Sequence, residues 1–140
     1  MFCYEYPRPA ITVDIVVFSG DVPDVLLIRR KHPPFEKCWA LPGGFIEMEE
    51  SLKASARREL EEETGVTDVR LTEVGTFGDP SRDPRGRVIS VAYTAIVEKS
   101  LLNIEAGSDA SEAAWFPTTD LPVLAFDHDE IIRKALEKLT

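Results

Sequence analysis

The sequence predicts an α/β/α sandwich, in which a mixed central sheet lies between two helices. Stretches rich in β-branched residues are separated by short turns, as in hairpins, while helical segments occur once in the middle of the chain and once near its end. The 140 residues, 44% of them hydrophobic, suffice for one domain with a substantial core. We therefore expect a single domain over residues 1–140 that packs its helices on its sheet.

The first two strands are predicted from hydrophobic patterning on either side of a turn. Ala10–Ser19 is β-branched and partly alternating, and residues 25–30 form a second apolar run, so the two are expected to pair as a hairpin. Asp14 is a charge within the first run and is expected on the open face of the sheet, where a ligand can reach it. Residues 31–37 contain two prolines and are predicted to form a loop, and Trp39 is expected to pack in the core.

The second half of the chain is predicted to add three strands and the closing helix. Residues 69–78 and 87–98 are expected to be antiparallel neighbours, and a short strand over residues 113–116 follows a polar, acidic connection. The closing helix is expected to begin near Asp127, because Asp127 and Glu130 have the spacing of a capping box. Its predicted apolar face comprises Ile131, Ala135, Leu136 and Leu139.

A short helix rich in glutamate is predicted in the middle of the chain. Ser51 is a residue type that caps helices, and Gly65 stands where a helix usually stops. At about 100° per residue, Glu59, Glu62 and Glu63 share one face of this helix. Like charges at these spacings cost about 0.2–0.5 kcal/mol per pair. The face is therefore either a solvated acidic surface or a metal site, since a hard divalent cation would reverse these costs.

Net charge and cysteine usage restrict the classes of partner. The formal net charge is −9 and no basic block occurs, so nucleic acid is not expected as a partner. A phosphorylated substrate would also be repelled unless a divalent cation and local arginines attract it. Cys3 and Cys38 give neither a disulfide framework nor zinc spacing, and no apolar run reaches membrane-spanning length. We expect a cytoplasmic protein that does not enter a membrane.

The glutamate helix and the residues before it resemble the Nudix box. The nine defined positions of that motif span the 23 residues from Gly44 to Val66, and each is filled at the expected spacing. The matching residues are Gly44, Glu50, Arg58, Glu59, Leu60, Glu62, Glu63, Gly65 and Val66. The resemblance implies a Nudix-type α/β/α sandwich. It also implies an enzyme in which water attacks phosphorus and cleaves a diphosphate that joins a nucleoside to another moiety.

The same resemblance implies roles for individual residues of the box. Glu59 and Glu63 would be the primary ligands of Mg²⁺, with Mn²⁺ as the alternative. Glu62 would be a third ligand, direct or through water, and the backbone carbonyl of Gly43 would be another. Arg58 would orient a glutamate by charge-assisted hydrogen bonds, so we count Glu62 and Arg58 among the catalytic residues. The first glutamate of the box would be an outer ligand or a loop anchor.

The general base lies outside the box in many Nudix enzymes, which directs attention to the loop before Trp115. The acids there are Glu105, Asp109 and Glu112. We expect Glu112 or Asp109 to act as the base, and a solvated loop acid is the alternative for each. His32 and His128 are expected to be surface or capping residues.

Two further segments resemble the small ADP-ribose pyrophosphatases of the Nudix superfamily. They are residues 77–90, with Asp-Pro-Arg-Gly at the centre, and residues 121–128. This resemblance implies hydrolysis of ADP-ribose to AMP and ribose 5-phosphate by a protein that is a homodimer by analogy. The alternatives are a damaged nucleoside triphosphate, a dinucleoside polyphosphate or a nucleotide sugar as substrate, or a domain that senses ADP-ribose without hydrolysing it.

Arginine side chains are the predicted contacts to this substrate, because guanidinium groups match the geometry of phosphate. Arg85 is the first candidate, Arg82 and Arg29 are the next, and Arg30 and Arg87 are further candidates. For the arginines of the 77–90 segment, pairing with Asp79 and Asp83 to hold the loop is the alternative.

Overall fold

A computed structural model describes residues 2–107 and 109–139 and contains seven strands and two α-helices. The strands are β1 Ala10–Ser19, β2 Asp24–Arg30, β3 Trp39–Ala40, β4 Gly43–Phe45, β5 Thr72–Phe77, β6 Val88–Ile96 and β7 Ala110–Pro117. The helices are α1 Leu52–Thr64 and α2 His128–Glu137, and a short 3-10 turn covers Lys99–Leu101. The predicted sandwich of a mixed sheet between two helices is confirmed.

The strand order explains where an opening forms in the sheet. The strands follow the order β3-β2-β1-β6-β5, in which β1 and β6 are parallel, and β4 pairs with β1 while β7 pairs with β2. The hairpin of β1 with β2 and the antiparallel pairing of β5 with β6 are confirmed. β2 pairs with β1 at Phe18 and Ser19, whereas β4 pairs with Thr12 to Asp14. The two neighbours of β1 therefore lie along different parts of its length on the same edge.

Alternation along β1 divides the core into two halves. Residues with odd numbers, such as Ile15, pack in the cluster that includes Leu60 of α1. Residues with even numbers, such as Phe18, pack in the cluster that includes Ile131 of α2. Successive strand side chains point to opposite faces, so one apolar strand serves both helices. Full burial of side chains of this size contributes about 1.5–3 kcal/mol each.

The predicted ends of α1 are confirmed. The Ser51 hydroxyl accepts a hydrogen bond from the backbone N–H of Ala54 over 3.1 Å. Gly65 has a φ of 77°, in the left-handed region, and its N–H donates to the carbonyl of Glu61. Glycine adopts this conformation without steric cost, which explains why the helix ends there and leaves its last glutamates next to β4.

The predicted start of α2 is confirmed, but the capping box is wrong. Asp127 makes no side-chain capping bond, because both oxygens of its carboxylate bind Arg82. The apolar face is also shifted: Ile131 and Ala135 are buried as predicted, Ile132 is buried as well, and Leu139 is 39% exposed.

Trp39 packs as predicted against the core half that contains α2, with its ring 4.7 Å from that of Phe116. The short strand predicted over residues 113–116 is longer, because β7 runs the length of its pairing with β2. Among the described residues no helix has the length and apolar character needed to cross a bilayer.

Candidate active site

A cavity of about 500 Å³ opens beside β1 where β2 and β4 lie apart. Its walls come from seven stretches of the chain, which include β4, the inner face of α1 and the loop between β5 and β6. Its ionisable lining residues are Asp14, Arg30, Lys31, His32, Glu47, Arg58, Glu59, Glu63, Arg82, Asp83, Arg85, Asp109 and His128. Acids and arginines are thus brought together in one concave site, as in enzymes that handle anionic ligands.

Two carboxyl groups of α1 meet in this cavity. Glu63 is only 5% exposed, and burial, a hydrogen bond to Glu59 and the Glu59 charge together raise the pKa of Glu63 to about 9. Burial also raises the pKa of Glu59, although its hydrogen bonds to Glu63 and Arg58 act in the opposite direction. In the absence of a cation the pair therefore retains a proton near neutral pH. A divalent cation would replace that proton and relieve the repulsion.

Arg58 fixes the orientation of the glutamates around it. Its Nε donates to both oxygens of Glu50 over 2.9 Å, and its Nη1 donates to Glu59 over 2.8 Å. Glu50 also accepts from the hydroxyl of Ser55, and these bonds lower the pKa of Glu50. The ionised Glu50 therefore holds Arg58, and Arg58 holds Glu59 in the cavity wall.

Glu62 does not join the other two glutamates. Its side chain is 44% exposed, it contacts Nη1 of Arg58 over 3.4 Å, and it does not line the cavity. The three glutamates share one broad face of α1, but β4 packs only against the part of that face that carries Glu59 and Glu63. Glu62 therefore does not reach the same point. Of the two modes expected for Glu62, direct ligation or action through water, this arrangement does not favour direct ligation.

The backbone of Gly43 faces the glutamates. The N–H of Ile15 donates to the carbonyl of Pro42, and the N–H of Ile46 donates to that of Ile11. Hydrogen-bonded and non-hydrogen-bonded pairs alternate along two antiparallel strands. Asp14 and Gly43, which are next to the hydrogen-bonded pair Ile15 and Pro42, therefore form a non-hydrogen-bonded pair. Both backbone groups of Gly43 therefore point away from β1, and its N–H donates to Oε1 of Glu63 over 3.4 Å. Its carbonyl shares that direction.

The two glycines of β4 are required by close packing. A Cβ at Gly44 would lie 2.6 Å from the carboxyl carbon of Glu59, and a Cβ at Gly43 would lie 2.2 Å from the backbone oxygen of Val13. The glutamate carboxylate thus occupies the space of a missing side chain. No other residue type leaves this space free.

These residues fit a hard divalent cation. Buried carboxylates and a free backbone carbonyl are the oxygen donors that Mg²⁺ and Mn²⁺ prefer. Among residues 2–107 and 109–139, no three side chains of His, Cys, Asp or Glu converge closely enough to hold a metal by themselves. The described residues would therefore offer a cation two carboxylates and a carbonyl, and water or phosphate oxygens would have to supply the other ligands.

The arginines of the loop between β5 and β6 are anchored by acids, as in the alternative considered from sequence. Arg82 is 4% exposed in its side chain and binds Asp127 through Nε over 2.9 Å and Nη2 over 2.6 Å. Arg82 lines the cavity, but its Nε and Nη2 donate to Asp127 and its Nη1 to the carbonyl of Val88, so it ties this loop to the start of α2. The predicted partners of Arg82, Asp79 and Asp83, were wrong. Its partner is Asp127, which is distant in sequence and was therefore not considered.

Arg85 binds Asp83 and still reaches the cavity. Burial would raise the pKa of Asp83, but hydrogen bonds from the Arg85 side chain and backbone outweigh it, and the pKa of Asp83 is lowered. The Arg85 guanidinium lies 4.9 Å from the ring centre of Phe45 and 5.3 Å from that of Phe126. The predicted position of Arg85 at the binding cavity is thus compatible with the structure.

Arg30 is the second guanidinium over Phe126, at 5.1 Å from the ring centre. Burial, and next the positive charge of Arg85, lower the pKa of Arg30. Two cations held on one aromatic ring form a site for an anion. The sequence offered no signal that selects Phe126 or Phe45, and strand alternation separates Arg29 from Arg30 without telling which of them faces the cavity.

Arg29 and Glu112 lie outside the cavity, although both were predicted as site residues. They are opposite each other in the ladder of β2 with β7 and form an ion pair of 3.2 Å. Because successive strand residues face opposite sides, Arg30 faces the cavity and Arg29 does not. Asp109, the other acid expected as the base, lines the cavity and lies 3.8 Å from Nε2 of His32.

His128 and Asp14 are buried together at the floor of the cavity. The backbone N–H of Leu41 donates to Nδ1 of His128 over 3.0 Å, and Nε2 of His128 lies 3.5 Å from Oδ1 of Asp14. The other oxygen of Asp14 accepts from the hydroxyl of Ser90 over 2.5 Å. His128 is 4% exposed and is therefore not the surface residue expected from sequence. Asp14 is 6% exposed but lines the cavity, which agrees with the expectation that a ligand can reach it.

Comparison with known proteins places this geometry in a family. The family model described as NUDIX domain matches residues 8–139. An ADP-ribose pyrophosphatase from Methanocaldococcus jannaschii is 42% identical over 128 residues, which cover 91% of this chain and 73% of that protein. The ADPR responsive transcriptional repressor NtrR from Acinetobacter baylyi is 37% identical, and the match covers 96% of this chain but 56% of the repressor.

A solved structure agrees with the sequence relatives. The NUDIX domain of Shewanella oneidensis NrtR, complexed with ADP ribose, superposes with a TM-score of 0.89 at 37% identity and covers 96% of this chain and 91% of that one. Box residues, fold and comparisons agree, and the chain belongs to the NUDIX family.

Proposed function

We propose that this domain hydrolyses ADP-ribose to AMP and ribose 5-phosphate with the help of Mg²⁺. One observation carries the proposal: Glu59, Glu63 and the Gly43 backbone occupy one side of a cavity whose other side holds two guanidinium groups. The similarity to an ADP-ribose pyrophosphatase and to an ADP-ribose-bound domain supports this choice of substrate. Oxygen donors on one side and guanidinium groups on the other suit a substrate with two adjacent phosphates.

Glu59, Glu63 and the carbonyl of Gly43 would hold the cation, which when bound neutralises phosphate charge and lowers the pKa of water. Mg²⁺ is proposed because it binds through a few carboxylates together with substrate phosphates, and Mn²⁺ suits the same oxygen donors. Glu62, at the exposed edge of this set, would act through a water molecule.

The guanidinium groups of Arg30 and Arg85 would bind the phosphate oxygens that face away from α1. Their attraction offsets the overall negative charge of the chain, which is −9. The rings of Phe45 and Phe126 lie next to these groups and offer apolar surface for the adenine or a ribose. Arg85 is therefore kept as a substrate contact, and Arg30 takes the place of Arg29.

Asp109 is the better of the two acids considered as general base. Its side chain lines the cavity and is 87% exposed, whereas Glu112 is held by Arg29 on the other side of β2. A base has to lie within hydrogen-bond reach of the attacking water, so position decides between them. Arg58 would serve by holding Glu59 in place.

A domain that binds ADP-ribose as a signal is the second candidate. The similarity to a transcriptional repressor favours it, although the chain spans only about half the length of that relative. The presence of Glu59, Glu63 and Arg58 in their expected arrangement favours hydrolysis. Both a hydrolase and a sensor would bind ADP-ribose, but only a hydrolase would turn it over.

A substrate panel with Mg²⁺, with products separated by chromatography, tests the proposal. It should contain ADP-ribose, NADH, diadenosine polyphosphates, nucleotide sugars and oxidised nucleoside triphosphates. Preferred conversion of ADP-ribose to AMP supports the proposal. Preferred turnover of another compound would contradict the substrate assignment, and tight ADP-ribose binding without turnover of any compound would favour the sensor.

A further inference from the structure

His128 is a buried histidine with a single possible arrangement of its proton. Nδ1 accepts a hydrogen bond from the backbone N–H of Leu41 over 3.0 Å, so the ring proton of the neutral imidazole is on Nε2. Nε2 faces Oδ1 of Asp14 at 3.5 Å. Burial lowers the pKa of His128, which keeps the ring neutral and Nδ1 available as an acceptor.

The bond to Leu41 helps to fix the segment that leads into β4. Leu41 and Pro42 connect β3 to β4 and directly precede Gly43. Proline has no N–H, so Leu41 provides the backbone donor just before Gly43, and it donates to His128 instead of a strand. On the next residue, the carbonyl of Pro42 accepts from Ile15. Two hydrogen bonds from two different elements thus set the direction in which the chain enters β4.

Asp14 and Ser90 hold the imidazole in this orientation. Ser90 donates to Oδ2 of Asp14, which leaves Oδ1 for Nε2 of His128. A flip of the imidazole ring would bring a carbon atom opposite both Leu41 and Asp14 and lose both contacts. The ring of Phe126, 5.3 Å from that of His128, packs against it.

We infer that His128 is a positioning residue that directs the carbonyl of Gly43 toward the cation through the N–H of Leu41. The inference rests on the cation site of the proposed function, and it concerns a side chain outside the proposed cation ligands and substrate contacts. His128 lies on α2 and the carboxylate ligands lie on α1. The two helices on opposite faces of the sheet therefore both determine the geometry of one metal site.

Two substitutions separate the hydrogen bonds of His128. In His128→Asn the amide oxygen takes the place of Nδ1 and can accept from Leu41. In His128→Gln the amide nitrogen takes the place of Nε2 and can donate to Asp14, but the acceptor for Leu41 is lost. Ile132→Val is the matched control, because it removes a buried methyl group from the same helix and leaves the acceptor for the N–H of Leu41 in place.

The measurement is the dissociation constant of Mn²⁺ alone, obtained by titration with detection of free Mn²⁺ by electron paramagnetic resonance, together with the midpoint of thermal unfolding. His128→Gln is expected to weaken Mn²⁺ binding about 10-fold or more, in the range typical of groups that orient metal ligands. His128→Asn and Ile132→Val are expected to stay within about 2-fold of the wild type, although both lower the unfolding midpoint.

Unchanged Mn²⁺ affinity in folded His128→Gln would overturn the inference, and so would an equal loss in both histidine variants. If His128→Gln does not fold, nitrogen NMR of the wild type decides. Saturating Mg²⁺ is expected to shift the Leu41 amide and Nδ1 of His128, and the absence of both shifts would contradict the inference. A wild type that binds Mn²⁺ without hydrolysing ADP-ribose contradicts only the proposed function, whereas one that binds no Mn²⁺ contradicts both.

Discussion

The backbone N–H of Gly43 donates to Oε1 of Glu63 over 3.4 Å, which joins β4 to the last turn of α1. This contact places a strand backbone and a helix carboxyl group at the same point, and the adjacent carbonyl points the same way. Burial and the neighbouring Glu59 raise the pKa of Glu63.

Replacement of Glu59 by glutamine should lower kcat at saturating Mg²⁺ by at least about 100-fold, because metal-based charge stabilisation amounts to several kcal/mol. The fold should persist, since glutamine has the same shape. Glu61→Gln is the matched control: Glu61 is exposed on the outer side of the same helix and should give wild-type rates. Equal kinetics for Glu59→Gln and Glu61→Gln would exclude Glu59 as a ligand.

The unfolding free energy of the metal-free protein should depend on pH through Glu63. Its pKa is about 9 in the folded protein and about 4.3 in an unfolded chain, so its contribution to stability is fully present below pH 4 and is lost as pH rises toward 9. Chemical unfolding in EDTA at several pH values between about 5 and 9 measures this. Mg²⁺ should flatten the dependence, and so should Glu63→Gln. A metal-free wild type whose stability rises over this range would contradict the assignment.

Alanine substitutions of the paired glycines should have different effects. In Gly44→Ala the new Cβ meets the mobile end of Glu59, so the protein should fold but bind Mn²⁺ more weakly. In Gly43→Ala the Cβ meets the backbone oxygen of Val13, so the β1–β4 pairing and the unfolding midpoint should suffer more. Gly78→Ala, whose Cβ would make ordinary contacts with Ile89, is the control. Thermal unfolding and Mn²⁺ titration of the three variants test this order.

Arg82 and Arg85 should be distinguished by KM. Arg82→Met leaves the half-buried Asp127 without its partner and should lower the unfolding free energy by about 1–3 kcal/mol with little change in KM. Arg85→Met leaves the buried Asp83 without its partner, so it should also lower stability, but it should in addition raise KM for ADP-ribose. Arg87→Met, at an exposed position of the same loop, is the control. A larger KM effect for Arg87→Met than for Arg85→Met would contradict the placement of the substrate.

The two candidate bases give opposite expectations. Asp109→Asn should lower kcat by about 100-fold or more, the usual contribution of general base catalysis, with little change in KM. Glu112→Gln should be close to wild type, because its carboxylate binds Arg29 away from the cavity. Initial rates at saturating ADP-ribose decide, and a reversed order would return Glu112 to the role of base.

The fold and the glutamate pair could be predicted from sequence because they depend on local patterns. Apolar alternation, Ser51 and Gly65 fix β1 and α1, and the box spacing selects Glu59 and Glu63. Glu62 was included because helical geometry alone does not tell which part of an arc the neighbouring strand covers. Only the position of β4 distinguishes Glu59 and Glu63, which reach the cavity, from Glu62, which does not.

The rest of the site depends on contacts between residues far apart in the sequence. Asp127 was expected to cap α2, but its carboxylate binds Arg82, which lies 45 positions earlier in the sequence. His128 was expected at the surface, and its acceptor role becomes visible only when Leu41 is placed beside it. Alternation places Arg29 and Arg30 on opposite faces of β2 but does not tell which face borders the cavity, so the structure is needed to select Arg30.

The most direct test of the central claim is the time course of product formation from ADP-ribose as Mg²⁺ is varied, for the wild type and Glu63→Gln. We predict equal amounts of AMP and ribose 5-phosphate at a rate that rises with Mg²⁺, stops in EDTA and falls sharply in Glu63→Gln. Formation of AMP without a divalent cation, or at an unchanged rate in Glu63→Gln, would contradict the claim that these carboxylates hold the catalytic metal.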